Sequence, residues 1–212
     1  MSNKTPLALL LASAALFMNC WASTYDEYDD MSDFPWFLLY YRASYPSGNE
    51  VILEDRGDGT IVVTKRSLSG YRYYRVVVKK CPQGSLYNGA THTCVTGEGP
   101  QTFQYCSANS NACNNSDGTL NNQPTSAAYA TCASDTTQSL TWMVIKADVL
   151  ADIMLHPDRG TVFPGLSAGN WYWGNQTTMT DRATVYRDGA FKENRLKTES
   201  HGVLCQHDGV YL

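Results

Sequence analysis

Side chains that could do acid–base or nucleophilic chemistry are sparse in this sequence. The chain has four histidines, which are His92, His156, His201 and His207. None of them belongs to an H-E-x-x-H metal motif, and nothing in the sequence predicts a nucleophile elbow or a glycine-rich phosphate loop. His156 follows a predicted helix, where an imidazole interacts favourably with the helix C-terminus. The sequence therefore predicts a protein that is not an enzyme and that uses no cofactor.

Residues 1–22 have the composition of a secretory signal peptide. Lys4 gives a basic start, residues 6–18 are almost wholly apolar, and Cys20 and Ala22 place small side chains before a cleavage site. The apolar run is too short to span a bilayer, and no second apolar segment of spanning length follows. An alternative is a lipoprotein anchored through Cys20. Either interpretation predicts an exported protein of the periplasm, the cell surface or the medium, without a transmembrane segment.

The cysteines predict a disulfide framework. Removing Cys20 with the signal peptide leaves six of the seven cysteines, and an even number in an exported chain predicts three disulfides. Six cysteines can pair in many ways, but short spacing favours two pairs between cysteines that are close in sequence. The two remaining cysteines then form the third pair. The favoured pairs are Cys81–Cys94, Cys106–Cys113 and Cys132–Cys205.

Metal binding is the competing interpretation of these residues. The chain has no C-x-x-C pair, and His201, Cys205 and His207 lack a fourth ligand at a suitable spacing. Asp55 and Asp58 could offer oxygens to calcium, but two carboxylates inside a glycine turn are usually turn formers. The sequence therefore predicts no metal site, with calcium as the alternative that it leaves open.

The first candidate binding surface is a basic, tyrosine-rich segment. No acidic residue occurs between Asp58 and Glu98, whereas six basic residues and three tyrosines do: Lys65, Arg66, Tyr71, Arg72, Tyr73, Tyr74, Arg75, Lys79 and Lys80. Such a surface could bind a polyanion, for example a sulfated glycan or an anionic envelope polymer. The candidate ligand-binding residues are Arg72, Tyr73, Arg75 and Lys79. The alternative is a solvated strand face, neutralised by the acidic residues of segment 23–45. Export argues against nucleic acid as a partner.

A second candidate surface lies in residues 171–176, which read WYWGNQ. Aromatic faces and side-chain amides are suited to contacts with a glycan. The candidate residues here are Trp171, Tyr172 and Asn175. The alternative is that the alternating aromatic residues mark a strand with one buried face, which places at least one tryptophan in the core.

Local signals also place several secondary-structure elements. Residues 55–60 (DRGDGT) predict a turn between two β-branched runs, and therefore a β-hairpin. Residues 51–80 predict two or three strands, and residues 34–45 predict a buried strand or a short docking helix. Residues 81–124 predict a long loop region held by two cysteine pairs. A later helix is predicted from the apolar spacing of Ala147, Leu150, Ala151 and Met154.

The order of these motifs resembles the Lcl C-terminal domain family (DUF1566), which is named after a bacterial collagen-like adhesin. Residues 55–60 match its D-x-G-D-G-T turn, and residues 81–89 match its C-x-x-G-x-x-x-N-G segment. Further similar segments are residues 127–132, Trp142, residues 171–175, the D-G turn at residues 188–189 and the closing strand at residues 203–205. The sequence departs from the family where only Trp142 remains of W-R-L-P, where Val149 replaces a glutamate and where Leu204 replaces an arginine. The resemblance runs from Val51 to the C-terminus.

The resemblance implies an α+β fold of the C-type lectin-like kind, with a small twisted mixed sheet, two helices and long disulfide-stapled loops. In such folds a cysteine after a helix pairs with one in the terminal strand, which suits Cys132 and Cys205. The implied organisation is a signal peptide at residues 1–22, an acidic and aromatic segment at residues 23–45 and an Lcl C-terminal-like domain at residues 46–212. The E-P-N-like and W-N-D-like motifs of calcium-dependent C-type lectins are absent.

The function that the resemblance implies is recognition without catalysis. The protein would be an exported recognition or adhesion module that binds a glycan or a polyanionic surface polymer. The alternative is a protein partner in the envelope, which would make the chain an accessory subunit of a surface structure or a periplasmic inhibitor or immunity protein.

Overall fold

The computed structural model describes residues 49–67, 71–97, 101–121, 125–167, 169–177 and 179–209. The chain divides into two units, Met1–Ser47 and Gly48–Leu212, and the fold below belongs to the second. The predicted signal peptide, the segment 23–45 and the strand or helix expected at residues 34–45 lie outside the described residues.

The first sheet contains the predicted hairpin. Its strands are β1 (Asn49–Asp55), β2 (Thr60–Ser67), β3 (Arg72–Lys79), β7 (Met143–Val144) and β12 (Cys205–Asp208). They are ordered β1-β2-β3-β12-β7, and every neighbouring pair is antiparallel. Strand β12, from the end of the described chain, is therefore an inner strand, between β3 and the edge strand β7.

The turn between β1 and β2 follows the chemistry of its sequence. Gly57 and Gly59 have φ values of +75° and +88°, a region that favours glycine. Asp55 Oδ1 accepts a hydrogen bond from the Gly57 amide at 2.9 Å, and Asp58 Oδ1 accepts one from the Thr60 amide at 3.0 Å. Both carboxylates thus act as turn formers.

The second sheet is mixed and draws on the later part of the chain. Its strands are β6 (Phe103–Gln104), β8 (Tyr172–Trp173), β9 (Arg182–Arg187), β10 (Phe191–Leu196) and β11 (Ser200–Val203), in the order β10-β9-β8-β11-β6. Strands β8 and β11 are parallel, and the other neighbours are antiparallel. A separate hairpin pairs β4 (Ser85–Asn88) with β5 (Thr93–Thr96).

Three α-helices accompany the sheets in the described part of the chain: α1 (Ala127–Ala133), α2 (Ala147–Leu155) and α3 (Arg159–Val162). Ser126 caps α1, because its side chain accepts a hydrogen bond from the Tyr129 amide. Helix α2 confirms the predicted apolar spacing, and His156 is its C-cap residue. The fold is therefore mixed α+β, with more sheet than helix.

The first sheet is buried on both faces at its centre. Ile61, Val63, Val76 and Val78 pack against α2 in one core cluster. Val62 and Val77, which alternate with them, join a second cluster with Trp142, Trp173 and Val185. A strand that is buried on both faces carries a continuous apolar run, which explains the sequence of β2 and β3.

Three disulfides hold the loops to this core. Cys81–Cys94, Cys106–Cys113 and Cys132–Cys205 have Cα–Cα distances of 5.7, 5.8 and 5.6 Å. The pairing predicted from the spacing is confirmed. The first disulfide closes the β4–β5 hairpin, and the third joins α1 to the inner strand β12.

Candidate functional site

A β-bulge in β3 shapes the surface beside the first sheet. Lys65 lies opposite Tyr74, but the next residue, Arg66, lies opposite Arg72, so Tyr73 is an extra residue without a partner on β2. Bulges change the direction in which a side chain points. Here the bulge brings Tyr73 into a cleft that Tyr74 and Lys65 also line.

This cleft, which we call the tyrosine cleft, has a volume of about 460 Å³. Its lining residues come from the first sheet and from the beginning of α2: Lys65, Tyr73, Tyr74, Val76, Lys146, Asp148 and Val149. Two valines give it an apolar part, and the lysines, the aspartate and the phenols give it hydrogen-bonding groups. Such a combination suits a small polar ligand with an apolar face.

The charges in the tyrosine cleft are largely compensated. Lys65 Nζ lies 3.0 Å from Asp152 Oδ2, and Lys146 Nζ lies 2.7 Å from Asp208 Oδ2. The Tyr74 hydroxyl donates a hydrogen bond to Asp152 Oδ2 at 2.6 Å. Burial, together with this hydrogen bond, raises the pKa of Tyr74 far above that of an ordinary phenol, so the group stays neutral. Each ammonium keeps further N–H donors beyond the one in its ion pair.

Two exposed tyrosines stand at the rim of the cleft. Tyr71 and Tyr73 are 68% and 51% exposed, and their ring centroids lie 5.3 Å apart in an edge-to-face arrangement. Large exposed aromatic rings are unfavourable in water, and they are common at binding surfaces. The two rings are thus an available apolar wall next to a polar cleft.

The predicted polyanion residues do not form one surface with Tyr73. Arg72 lies opposite Arg66 and Arg75 lies opposite Thr64, which places both arginines on the face of β2 that Lys65 does not occupy. Tyr73 lines the cleft on the other face. The four candidate residues of this segment are therefore divided between two sides of the sheet.

Most of these basic residues are also neutralised by carboxylates of the same domain. Arg75 and Arg66 lie 3.6 and 2.9 Å from Glu54 and Glu50, and Lys79 forms an ion pair with Asp135. Within the described residues, Arg72 alone among the six basic side chains of the segment has no ion-pair partner. The carboxylates that neutralise the segment come from the folded domain, whereas the expected acidic segment 23–45 lies outside the described residues.

Lys79 belongs to a hydrogen-bond network within the fold. Asp135 accepts hydrogen bonds from Lys79 and from Gln83 Nε2, the latter at 2.8 Å. Burial raises the pKa of the Asp135 carboxyl, but the hydrogen bonds from Gln83, Lys79 and Thr137 outweigh it and lower the pKa to about 2. Gln83 Nε2 also lies 2.9 Å from Cys205 Sγ. Lys79 thus belongs to a network that fixes the end of β3 to the third disulfide.

The second predicted surface is only partly accessible. Tyr172 is 3% exposed and its hydroxyl accepts a hydrogen bond from the Ser167 amide, so its ring belongs to the core and offers no face to a ligand. Trp173 is fully buried and donates from Nε1 to the Phe103 carbonyl at 2.7 Å. The backbone of Asn175 is held by Ile145, Leu120 and the Tyr105 hydroxyl. Of the three candidates, Trp171 and Asn175 are half-buried, and the guanidinium groups of Arg187 and Arg195 lie over the Trp171 ring.

A buried lysine in the loop region was not predicted from the sequence. Lys197 is fully buried, and its Nζ lies 2.9 Å from the Ser110 carbonyl, 2.9 Å from Asn111 Oδ1 and 2.8 Å from Asn114 Oδ1. Burial lowers the pKa of Lys197. Among the residues that the structure describes, no group of three His, Cys, Asp or Glu side chains is arranged to hold a metal.

The histidines occupy separate environments. His92 lies 2.7 Å from the Tyr87 hydroxyl, and His201 lies 3.3 Å from Glu199 with its ring 4.7 Å from that of Trp173. Burial lowers the pKa of His201. Each imidazole contacts residues of its own strand pair or loop.

The expectation that the sequence contains no nucleophile-elbow pattern is wrong, because residues 165–169 have the form G-x-S-x-G. Ser167 follows α3 and precedes β8, whereas a nucleophile elbow places its serine between a strand and the helix that follows. The match is therefore limited to the sequence, because Ser167 does not lie at the strand-to-helix turn of a nucleophile elbow.

Comparisons with family models, with curated proteins and with solved structures find no match for this chain. The resemblance to the Lcl C-terminal domain family remains a prediction from the order of its motifs. No helix in the described ranges is long and apolar enough to cross a membrane.

Proposed function

We propose that this chain is an exported, non-catalytic recognition module that binds a glycan in the tyrosine cleft. The observation that supports this proposal is the β-bulge, because it turns Tyr73 toward the cleft and sets it beside Tyr71. A sugar ring has an apolar C–H face and a polar edge of hydroxyl groups. The exposed tyrosine rings suit the first, and the lysine ammonium groups and the Asp148 carboxylate suit the second.

The charge distribution favours a neutral or weakly charged glycan over a polyanionic polymer. Two lysines of the cleft stand beside three carboxylates, those of Asp148, Asp152 and Asp208. A dense polyanion would have to displace these ion pairs and would be repelled by the uncompensated carboxylate. Sugar hydroxyls can instead use the remaining N–H donors without breaking either pair.

The proposal of export rests on agreement between sequence and fold. Residues 1–22 have the composition of a signal peptide, and three disulfides are typical of an oxidising compartment. The C-type lectin-like assignment is likewise proposed, with support from Cys132 in α1, which is bonded to Cys205 in the C-terminal strand. Periplasm, cell surface and medium all fit these features.

A glycan array probed with the mature protein tests this function. We expect binding to one class of neutral glycans, and the variants Y71A and Y73A should each weaken it at least tenfold, which corresponds to about 1.4 kcal/mol. The matched control is the double variant R72A/R75A, which changes the opposite face of the sheet and should leave the affinity unchanged.

The opposite pattern would contradict the proposal. Binding of sulfated glycans that is lost in R72A/R75A and kept in Y73A would indicate a polyanion site on the other face. A folded protein that binds no glycan on the array would favour the protein-binding alternative, an accessory subunit or a periplasmic inhibitor.

A further inference from the structure

A second surface, on the other sheet, holds an arginine between two aromatic rings. Tyr172 and Trp173 of β8 pair with Tyr186 and Val185 of β9, which places Trp171 level with Arg187. The Arg187 guanidinium carbon lies 4.8 Å from the centroid of the Trp171 ring. On its other side, Phe191 is the cross-strand partner of Arg187, with the ring centroid 5.2 Å away.

The neighbouring arginine differs from Arg187 in its partners. Arg195 also lies over the Trp171 ring, at 5.4 Å, but its guanidinium is 2.6 Å from Glu193 Oε2. By contrast, Arg187 has no ion pair and no side-chain hydrogen bond with any residue that the structure describes. No described carboxylate is paired with its charge, and its N–H donors have no acceptor among the described residues.

The surroundings of Arg187 suit the binding of a carboxylate. The contacts with two rings restrain the Arg187 side chain before a ligand arrives, so less side-chain entropy remains to be lost on binding. The planar fork of arginine matches the two oxygens of a carboxylate in a bidentate hydrogen bond. The attraction between a cation and an aromatic face uses none of the N–H groups as hydrogen-bond donors to a polar acceptor, so these groups remain for a ligand.

We propose that Arg187, held between Trp171 and Phe191, binds the carboxylate of an acidic sugar such as a uronic or sialic acid. Phe191 is 61% exposed, so an apolar ring face stands beside the arginine and can contact the sugar ring. Asp188 follows Arg187 in the chain and Glu193 lies on the neighbouring strand β10, and these carboxylates favour a ligand with a single negative charge over a phosphate or a sulfated polymer. The site stands on residues separate from the tyrosine cleft and does not rest on it.

Calorimetric titration of the mature, disulfide-bonded protein tests this site. The ligands are glucuronic acid, N-acetylneuraminic acid, glucose, acetate and inorganic sulfate. We expect one or both acidic sugars to bind at least tenfold more tightly than glucose, acetate or sulfate. R187Q should abolish this preference, and R182Q, which removes an arginine of the same strand paired to Asp181, should retain it.

Several outcomes would overturn the proposal. If glucose or acetate bound as tightly as the acidic sugars, the site would not be recognising a carboxylate carried by a sugar. If sulfate bound more tightly than the acidic sugars, the preference for a single negative charge would be contradicted. Should R187Q fail to fold, R187K serves as the second variant, since it keeps the charge and loses the planar fork; undiminished binding by R187K would also refute the site. Y73A should retain acidic-sugar binding, so failure of this site and failure of the tyrosine cleft can be told apart.

Discussion

The ammonium of Lys197 lies 2.8 Å from Asn114 Oδ1, inside the domain and out of contact with water. The other two oxygens around it, from Ser110 and Asn111, belong to the same loop, which the Cys106–Cys113 disulfide closes. Lys197 itself stands between β10 and β11. A side-chain cation thus ties the asparagine-rich loop to the second sheet.

Replacing Lys197 with methionine should therefore destabilise the domain strongly. The variant keeps the apolar stem but leaves three oxygens without their shared charged donor, and we expect a loss of about 3 kcal/mol in the free energy of unfolding. Urea denaturation measures it. K192M is the matched control, since Lys192 is exposed on β10, and it should change the free energy little. A loss below about 1 kcal/mol in K197M would show that water or the loop itself satisfies these oxygens.

The close packing of β8 against β11 gives a second prediction. A Cβ atom at Gly202 would lie 2.5 Å from Cδ1 and 2.6 Å from Cε1 of Tyr172, whose ring is buried. G202A should cost about 1–3 kcal/mol in unfolding free energy through overpacking. At Gly160 a Cβ atom would meet nothing within 4 Å, and G160A should leave stability unchanged or raise it by up to about 1 kcal/mol. Similar unfolding midpoints for the two variants would refute the packing argument.

The elements that the sequence predicts well are those determined by local chemistry. The turn at residues 55–60 needs only its glycines and aspartates, and α2 needs only its apolar spacing. Two disulfides also join cysteines that are close in sequence. Each of these features depends on residues that are neighbours along the chain.

The candidate site was harder to predict because it depends on pairing between distant residues. The bulge at Tyr73 depends on how β3 pairs with β2, and this register cannot be predicted from the sequence of β3 alone. Lys79 meets Asp135 across 56 positions, and Lys197 meets Asn114 across 83. A run of basic residues in sequence therefore became a set of separate ion pairs in the fold.

The disulfides should differ in their contributions to stability. Cys132 and Cys205 are 73 positions apart, and the chain-entropy model predicts a loss of about 4 kcal/mol when both become alanine. Cys106 and Cys113 are only 7 positions apart, and the same change should cost about 2.5 kcal/mol. Urea denaturation of the two double variants compares them directly. A larger loss for the short loop would show that effects in the native state outweigh the entropy of the unfolded chain.

The Asp135 network makes stability depend on pH in the acid range. The folded-state pKa of about 2 lies below the reference value of 3.8, so the folded state binds fewer protons than the unfolded state between these values. The contribution of Asp135 is therefore complete above about pH 4 and is lost as the pH falls toward 2. Wild type should be more stable than D135N at pH 7, and this difference should shrink steadily below pH 4.

Urea denaturation of both proteins between pH 2 and pH 7 measures that difference. D181N is the matched control, since Asp181 is half-exposed and 3.8 Å from Arg182, and its curve should run parallel to that of the wild type. The hydrogen bonds of Asp135 to Lys79, Gln83 and Thr137 set the direction of the effect. A D135N variant whose stability deficit stays constant from pH 7 down to pH 2 would mean that folding does not lower the pKa of the carboxyl, and the role of Lys79 as its structural partner would be refuted with it.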